Sequence, residues 1–218
     1  MPGNSSKKTI VIITSGLLIF AGVAYLWALS TTSFRLYMAE WSMARGAYPA
    51  AIHWYTRSLR LADTDKDQKL RSQLTEKLYR AYEAFCNWDF ENPRLLGWFA
   101  GDHIERLELG NGLLTIRSTG AHPSLELVRI HLSPSRRYHF QFRLRCRAGN
   151  QAQLMWAAGT EIFTPDNQKV LSIQGNGEWE ELAIEIPPHA GGLGKFRLIP
   201  SNAPGVIELD WIRVKSTE

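Results

Sequence analysis

The sequence predicts a membrane-anchored α plus all-β protein, with one N-terminal transmembrane helix, a short helical hairpin and an antiparallel β-sandwich or barrel. Three observations support this fold class. Residues 9–30 are uncharged and predominantly apolar, residues 33–85 carry apolar side chains at helical spacing, and residues 86–218 alternate between apolar and polar side chains with turn residues between the runs. A period of about 3.6 indicates helix and a period of about 2 indicates strand.

The first element is the apolar segment 9–30, which follows Lys7 and Lys8. No charged side chain occurs from Thr9 to Phe34, and roughly 20 apolar helical residues suffice to cross a bilayer core. A cleaved signal peptide is the alternative, because residues 28–30 would suit a signal peptidase, but the apolar core of such a peptide usually has about 7–15 residues. A fully apolar helix buried in a soluble domain is the third interpretation.

Orientation follows from the charges that flank this segment. Residues 1–8 contain two lysines and no acidic residue, and cationic flanks tend to remain in the cytoplasm. We therefore expect a cytoplasmic tail (1–8), a transmembrane helix (9–30) and a periplasmic C-terminal part, in a single-pass protein of the bacterial inner membrane. The expected partners are the membrane and other membrane or envelope proteins.

Composition and motifs argue against several classes of function. The 218-residue chain is 44% hydrophobic with a formal net charge of +4, and its basic residues are scattered, which disfavours nucleic acid as a partner. The chain contains no Gly-x-Ser-x-Gly, His-Glu-x-x-His, P-loop or dinucleotide fingerprint. Its six histidines show no ligand spacing. We therefore expect that the protein is not an enzyme.

Residues 33–85 are predicted to form three helices. Ser33 is placed to cap the first helix and Gly46 ends it, while Pro49 begins the second, since proline is tolerated in the first helical turn. The polar stretch 63–67 separates these helices from a third, which we expect over Gln68–Phe85 because apolar residues recur there every three or four positions.

The turn and the second helix of this segment resemble a single tetratricopeptide repeat. The resemblance rests on Gly46, Tyr48, residues 51–52 and Tyr55, and the chain departs from the repeat at Asp63, where proline is usual. About three copies are needed to bury a continuous core, and only one is found. Residues 33–85 are therefore interpreted either as a helical spacer or as a protein-docking surface.

Residues 86–218 show the period of β-strands, most clearly over 137–147. Tyr138, Phe140 and Phe142 share one face of that segment with Leu144 and Cys146, and the other face is polar. The nine predicted strands span residues 104–109, 113–117, 125–132, 137–147, 153–157, 169–173, 180–186, 195–199 and 206–214. Short strands separated by turns, without helices between them, are typical of an antiparallel sandwich or barrel.

The two ends of this segment resemble the galactose-binding-like jelly roll that many carbohydrate-binding modules share. Residues 87–91 provide an acidic strand opening, and residues 209–214 match a final strand of the type apolar-Asp-x-Ile-x-Val. The resemblance implies a jelly-roll domain over 86–218 and a glycan as ligand. In that family the first and last strands often hold a structural calcium ion, which by position would fall on Glu91 and Asp210. No other cofactor is expected.

A glycan site requires exposed aromatic rings and a few fixed polar groups. The candidate ligand-binding residues are Trp156, Trp179, Arg143, Arg145 and His139. The alternative is that the arginines mark only a solvated strand face and that Trp156 belongs to the core, to which Trp88, Trp98 and Trp211 are also assigned.

Cys86 and Cys146 are the only cysteines. Outside the cytoplasm an even pair suggests a disulfide, which would join the start of the β segment to one of its strands. Cys146 also falls on the apolar face of its strand, where a free thiol behaves as a small hydrophobic group. Both interpretations remain open at this point.

Together these observations favour a non-catalytic protein that presents a carbohydrate-binding or scaffolding domain in the periplasm, within an envelope polysaccharide or other membrane-bound complex. The alternative is a structural accessory subunit of a multi-subunit membrane complex that binds no ligand. In that case the transmembrane helix would pack against others through its small residues Gly16, Ala21 and Gly22.

Overall fold

The computed structural model describes residues 31–62, 68–91 and 97–217. The predicted transmembrane segment 9–30 lies outside these ranges. Within them, no helix combines the length and the apolar character needed to span a membrane. The chain divides into two units, Met1–Leu78 and Tyr79–Glu218, which are described in turn.

The first unit contains helices α1 (Thr32–Ala44) and α2 (Tyr48–Leu61) and the beginning of α3 (Gln68–Phe85). Thr31, rather than the predicted Ser33, caps α1, because its Oγ1 accepts a hydrogen bond from the Phe34 amide at 3.3 Å. Gly46 has a φ of +69°, a left-handed conformation that ends α1 and that glycine adopts without strain.

Helices α1 and α2 pack against each other through small residues and one buried tyrosine. Ala39 and Ala51 are fully buried, which allows the two backbones to approach closely. The buried Tyr55 hydroxyl hydrogen-bonds Glu40, which also pairs with Lys77 of α3. Burial and the bond to Glu40 raise the pKa of Tyr55. The three helices are present, while the resemblance to a tetratricopeptide repeat stays a prediction.

Within the described residues, the second unit is a sandwich of two antiparallel sheets. The strands are β1 (Asn87–Trp88), β2 (Trp98–Ala100), β3 (Ile104–Gly110), β4 (Leu113–Ser118), β5 (Leu125–Leu132), β6 (Arg137–Cys146), β7 (Gln151–Ala157), β8 (Gln168–Ser172), β9 (Glu180–Ile186), β10 (Leu193–Ile199) and β11 (Gly205–Thr217). The first sheet has the order β3-β4-β11-β6-β9, with β1 also paired to β11, and the second has the order β2-β5-β10-β7-β8. The predicted antiparallel sandwich is therefore confirmed.

The core lies between the inner faces of the two sheets. The alternate residues of β6 predicted to be apolar are all buried. The ring of Phe140 lies 5.2 Å from that of Phe196 on β10 and 6.4 Å from that of Trp98 on β2, so aromatic edge-to-face contacts join the sheets. Trp88 and Trp98 are 2% and 3% exposed, which confirms their assignment to the core.

A bulge in β11 determines which of its side chains face outward. The pairing of β11 with β6 shifts register between Leu209 and Trp211. Leu209 and Ile212 are both buried, and the two residues between them, Asp210 and Trp211, are only half-buried. An extra residue in a strand reverses the side-chain alternation. The assignment of Trp211 to the core is therefore wrong, because the bulge places it on the outer face.

Candidate functional site

The outer face of the six-stranded sheet carries most of the predicted ligand-binding residues. His139, Arg143 and Arg145 lie at alternate positions of β6 whose neighbours are buried, so their side chains point away from the core. In the sheet, Arg143 lies between Glu181 of β9 and Trp211 of β11. Three of the five candidates thus share one surface.

Trp179 lies beside them at the start of β9. The next residue, Glu180, pairs with Leu144 of β6. The centroid of the Trp179 ring is 4.7 Å from Cζ of Arg145 and 5.1 Å from Cζ of Arg143. Both distances allow cation–π attraction, which holds the indole against the sheet. The structure therefore brings Trp179, Arg143 and Arg145 together.

Each of these arginines also pairs with a carboxylate of β11. Nη1 of Arg143 donates to Oδ2 of Asp210 at 2.8 Å. Arg145 donates to both oxygens of Glu208, through Nε to one and through Nη2 to the other at 3.1 Å. The hydrogen bond from Arg145 lowers the pKa of Glu208, and the same bond raises the pKa of Arg145.

A second indole on this face belongs to Trp211, which the sequence did not predict as a site residue. Its backbone is directly opposite Arg143, and Cζ of Arg213 lies 4.4 Å from its ring centroid. The face thus presents two half-buried tryptophans, from β11 and from the start of β9, with β6 between them. The sequence does contain a signal for this position, since from Ile207 onward the aliphatic residues of β11 fall at 207 and 209 and then at 212 and 214, so their spacing changes from two to three at Trp211.

A cavity of about 450 Å³ opens at the end of this face. Arg145 and Glu208 contribute to both the face and the cavity, and Gly177 and Pro204 form part of the remaining wall. The Gly177 amide donates to the Cys146 carbonyl at 2.8 Å, which fixes the β8–β9 turn against β6. Ligand pockets commonly have volumes of about 300–1,000 Å³.

The arginines of β6 on this face have carboxylate neighbours. Arg143 and Arg145 pair with Asp210 and Glu208, as described above, and Arg137 pairs with Glu185. Nε2 of His139 also lies 3.9 Å from Glu185. Positive and negative groups are therefore interspersed along β6, whereas Arg213 of β11 contacts the Trp211 ring.

Trp156 does not belong to this face. It lies on β7 in the other sheet and is only 2% exposed. Its indole N–H is buried and has no hydrogen-bond partner among the described residues. The prediction that Trp156 stacks on a ligand is wrong, because the alternation along β7 directs its side chain into the core.

Glu91 and Asp210 do not form the donor set that calcium requires. The Asp210 carboxylate accepts a hydrogen bond from Arg143, and the Glu91 carboxylate lies against Gly112 in the β3–β4 turn. In the part of the chain that the structure describes, no three His, Cys, Asp or Glu side chains converge as metal ligands. Calcium takes about 6–8 oxygen ligands, and these two residues do not fit such a site.

Cys86 and Cys146 are free, buried thiols. The Cys86 carbonyl accepts from the Val214 amide, whereas Cys146 pairs with Ile207 at the other end of β11. Val214 and Ile207 are seven positions apart on β11, which in an extended strand corresponds to roughly 20 Å. A disulfide requires Cα atoms about 4.4–6.8 Å apart. The predicted disulfide is therefore wrong. Burial raises the pKa of the Cys86 thiol.

Comparisons with known proteins gave matches only among solved structures. No protein-family model and no curated protein matches the chain. Among the solved structures is the CBM22-1 xylan-binding domain from Paenibacillus barcinonensis, with 14% identity, a TM-score of 0.45, and coverage of 62% of this chain and 94% of that one. The C-terminal CBM6 of a marine laminarinase from Zobellia galactanivorans shows 16% identity and a TM-score of 0.41, over 59% of this chain and 97% of that one. A CBM6 module from Clostridium stercorarium in complex with cellobiose shows 14% identity and a TM-score of 0.39, over 60% of this chain and 93% of that one.

Proposed function

We propose that the β-sandwich is a non-catalytic carbohydrate-binding domain and that the outer face of the six-stranded sheet is its binding surface. The observation that carries the proposal is the placement of Trp179 and Trp211 on that face, on either side of Arg143. Sugars present apolar C–H faces that stack on aromatic rings, and hydroxyl groups that require hydrogen-bond partners. Both kinds of group are available on this surface.

The ion pairs support the proposal because they fix both donors and acceptors. Arg143 and Arg145 present guanidinium N–H groups, and Asp210 and Glu208 present carboxylate oxygens that keep further lone pairs. The stacked guanidinium groups also hold Trp179 in a defined orientation. Groups that are ordered before binding lose less entropy when a ligand arrives.

The charge pattern supports an uncharged glycan over an anionic polymer. The arginines of β6 have carboxylate neighbours on β9 and β11. A polyanion would have to approach these carboxylates as well as the arginines, whereas a neutral sugar hydroxyl interacts favourably with either group.

Titration of the full chain in uncharged detergent with a panel of soluble neutral oligosaccharides tests the proposal, with tryptophan fluorescence as the measurement. We expect Trp179→Ala and Trp211→Ala each to weaken glycan binding at least about tenfold. Trp41→Ala is the matched control, because Trp41 is also an exposed indole stacked by an arginine, Arg45, but lies in the first unit. Absence of binding by the unchanged chain, or equal affinities for all three variants, would contradict the proposal.

We further propose that residues 9–30 anchor this domain to the bacterial inner membrane with the sandwich in the periplasm. The uncharged, predominantly apolar segment and the two preceding lysines support this topology. Alkaline extraction of membranes should leave the chain in the pellet, and protease added to intact spheroplasts should digest the sandwich. Release at alkaline pH or full protection would contradict the anchor or the orientation, respectively.

A further inference from the structure

Helix α1 presents an exposed stripe that belongs to no site described above. The buried residues of α1 are Ala39 and Ser42, on the side that packs against α2, so the opposite side of the helix points away from α2. The α1 stripe lies on that opposite side and consists of four exposed, uncharged residues that recur every three or four positions, Ser33, Tyr37, Trp41 and Ala44. Glu40, the remaining exposed residue of α1, lies at the edge of the stripe and pairs with Lys77.

The outer face of α2 is different. On the side away from its buried residues, that helix exposes Ala50, His53, Arg57, Arg60 and Leu61. Two arginines and a histidine give this face the polarity of an ordinary water-facing surface. In α1 the large exposed side chains are instead aromatic, and Tyr37 and Trp41 are 63% and 41% exposed. Each face points away from the other helix, so the hairpin has one polar side and one apolar side.

The α1 stripe is too small to form a specific protein interface alone. An aromatic side chain buries about 150–250 Å², so at these exposures Tyr37 and Trp41 together offer at most roughly 260 Å². A stable interface takes about 800 Å² from each partner. A lipid surface needs no complementary shape, and tyrosine and tryptophan are enriched where a membrane meets water. Size and composition therefore favour lipid over protein as the partner.

The position of α1 in the chain points to the same partner. It begins at Thr32, one residue beyond the segment 9–30, for which we proposed a membrane anchor. A helix as long as that segment extends roughly 33 Å, about the thickness of the hydrocarbon core, so such an anchor delivers the chain to the membrane surface where α1 begins. The 13 residues of α1 extend only roughly 20 Å and include Arg35 and Glu40, so α1 itself cannot cross.

We infer that α1 lies along the surface of the membrane, with the α1 stripe among the lipid headgroups. An interfacial helix of this kind buries its apolar face about 5–10 Å deep. Arg45 directly follows the stripe, and its Cζ lies 4.0 Å from the centroid of the Trp41 ring, so a positive charge accompanies this ring to anionic headgroups. The inference rests on the proposed anchor, and it adds that one side of the hairpin is held against the membrane.

Spin labels at two matched positions of the full chain test this inference. Ala44→Cys places a label in the stripe and Ala50→Cys places one on the outer face of α2, and both alanines are exposed. The native cysteines are buried, so the unchanged chain gives the background labelling. The chain is reconstituted into vesicles of phosphatidylethanolamine and phosphatidylglycerol, and collisions of each label with oxygen and with a water-soluble nickel complex are measured. Because an interfacial helix is buried about 5–10 Å deep, the nickel complex should reach position 44 at least about threefold less than position 50, and oxygen should reach it more.

The other outcomes contradict the inference in distinguishable ways. Equal nickel accessibility at positions 44 and 50 would place the stripe in water. Low accessibility of position 44 to both reagents would mean that a second copy of the chain covers it. Flotation of the vesicles reports the anchor separately. A chain that floats with position 44 in water refutes only the contact of α1, whereas a chain that does not float refutes the anchor as well.

A double variant, Tyr37→Ser with Trp41→Ser, shows whether the two rings make the contact. Both side chains are exposed, so the variant should fold, as thermal unfolding will show, and it keeps residues 9–30. With the label at position 44, its nickel accessibility should rise to that of position 50 while the chain still floats. Unchanged protection of position 44 would mean that the rings do not hold α1 on the membrane and would overturn the assignment.

Discussion

The guanidinium of Arg143 and the carboxylate of Asp210 are joined by a hydrogen bond of 2.8 Å across neighbouring strands of the same sheet. Asp210 faces outward by ordinary alternation, because it follows the buried Leu209. The bulge after Leu209 adds Trp211 to the same face. Alternation and one irregularity in β11 therefore place a polar group and an aromatic ring side by side on the candidate binding face.

The neighbouring pair, Arg145 and Glu208, should make stability depend on pH. Arg145 lowers the pKa of Glu208 in the folded chain from its ordinary value of 4.5, so the pair stabilises the fold above that value and the contribution is lost as pH falls through the lower folded pKa. Glu208→Gln should reduce the free energy of unfolding at pH 7 by up to about 1 kcal/mol, since both groups are partly exposed. At a pH below that folded pKa the variant and the unchanged chain should be equally stable. Urea denaturation at the two pH values measures the difference, and an equal loss at both would mean that packing rather than charge is responsible.

The sandwich was predictable because alternation along a strand reports burial directly. β6 is the clearest example, since every residue assigned to its apolar face is buried. Alternation identified neither β1 nor β2, because strands of two or three residues are too short to show a pattern. Only the resemblance to a jelly roll indicated a strand opening at residues 87–91, where β1 lies. The hairpin of α1 and α2 was predictable from Gly46 and Pro49, although Thr31 competes successfully with Ser33 as the cap.

The candidate site was only partly predictable, because its composition depends on pairing between distant strands. The polar face of β6 identified Arg143 and Arg145, but nothing in the local pattern shows that Glu208 lies opposite Arg145 or that Asp210 lies within hydrogen-bond distance of Arg143. Glu91 and Asp210 were grouped by resemblance to a family, whereas Asp210 pairs with Arg143. Trp156 and Trp179 are both tryptophans near turns, and only the assembled sheets show that one is core and the other is surface.

The contrast between buried and surface tryptophans should be measurable as stability. Trp88 is 2% exposed, and its ring lies 5.5 Å from Trp98 and 5.7 Å from Phe85. Trp88→Ala should therefore cost about 3–5 kcal/mol in free energy of unfolding. Trp211→Ala should cost roughly 1 kcal/mol or less, since the ring is half-buried and stacks only on Arg213 within the described contacts. Chemical denaturation of both variants checks the order, and equal losses would contradict the outward position of Trp211.

The thiols should be free in protein purified without reducing agent. Cys86 is fully buried and Cys146 is 4% exposed, so neither should react with a thiol reagent under native conditions, and burial further suppresses the reactive thiolate of Cys86 by raising its pKa. After denaturation both should react. Recovery of two thiols per chain confirms the separation of Cys86 and Cys146 along β11. Recovery of none would show that a disulfide forms despite that separation.

The turn between β8 and β9 should control ligand binding through Gly175. This residue has a φ of +59°, and a Cβ added there would lie 2.0 Å from the Gly149 carbonyl oxygen. Gly175→Ala must therefore move the turn, at a cost of about 2 kcal/mol or more, because alanine is strained in the left-handed region and the clash is with backbone. Since the turn leads directly into Trp179, the displacement should also weaken glycan binding.

Gly159→Ala is the matched control for this variant, because a Cβ at Gly159 meets nothing within 4 Å and the residue does not occupy the left-handed region. It should leave both the unfolding free energy and the glycan affinity unchanged within about 0.5 kcal/mol. The informative comparison is between stability and affinity in Gly175→Ala at a temperature where the variant is still folded. A folded variant with weakened binding means that the turn positions Trp179 for the ligand. A folded variant with full affinity means that Trp179 contributes little, and binding must then depend on Trp211 and the ion pairs of β11.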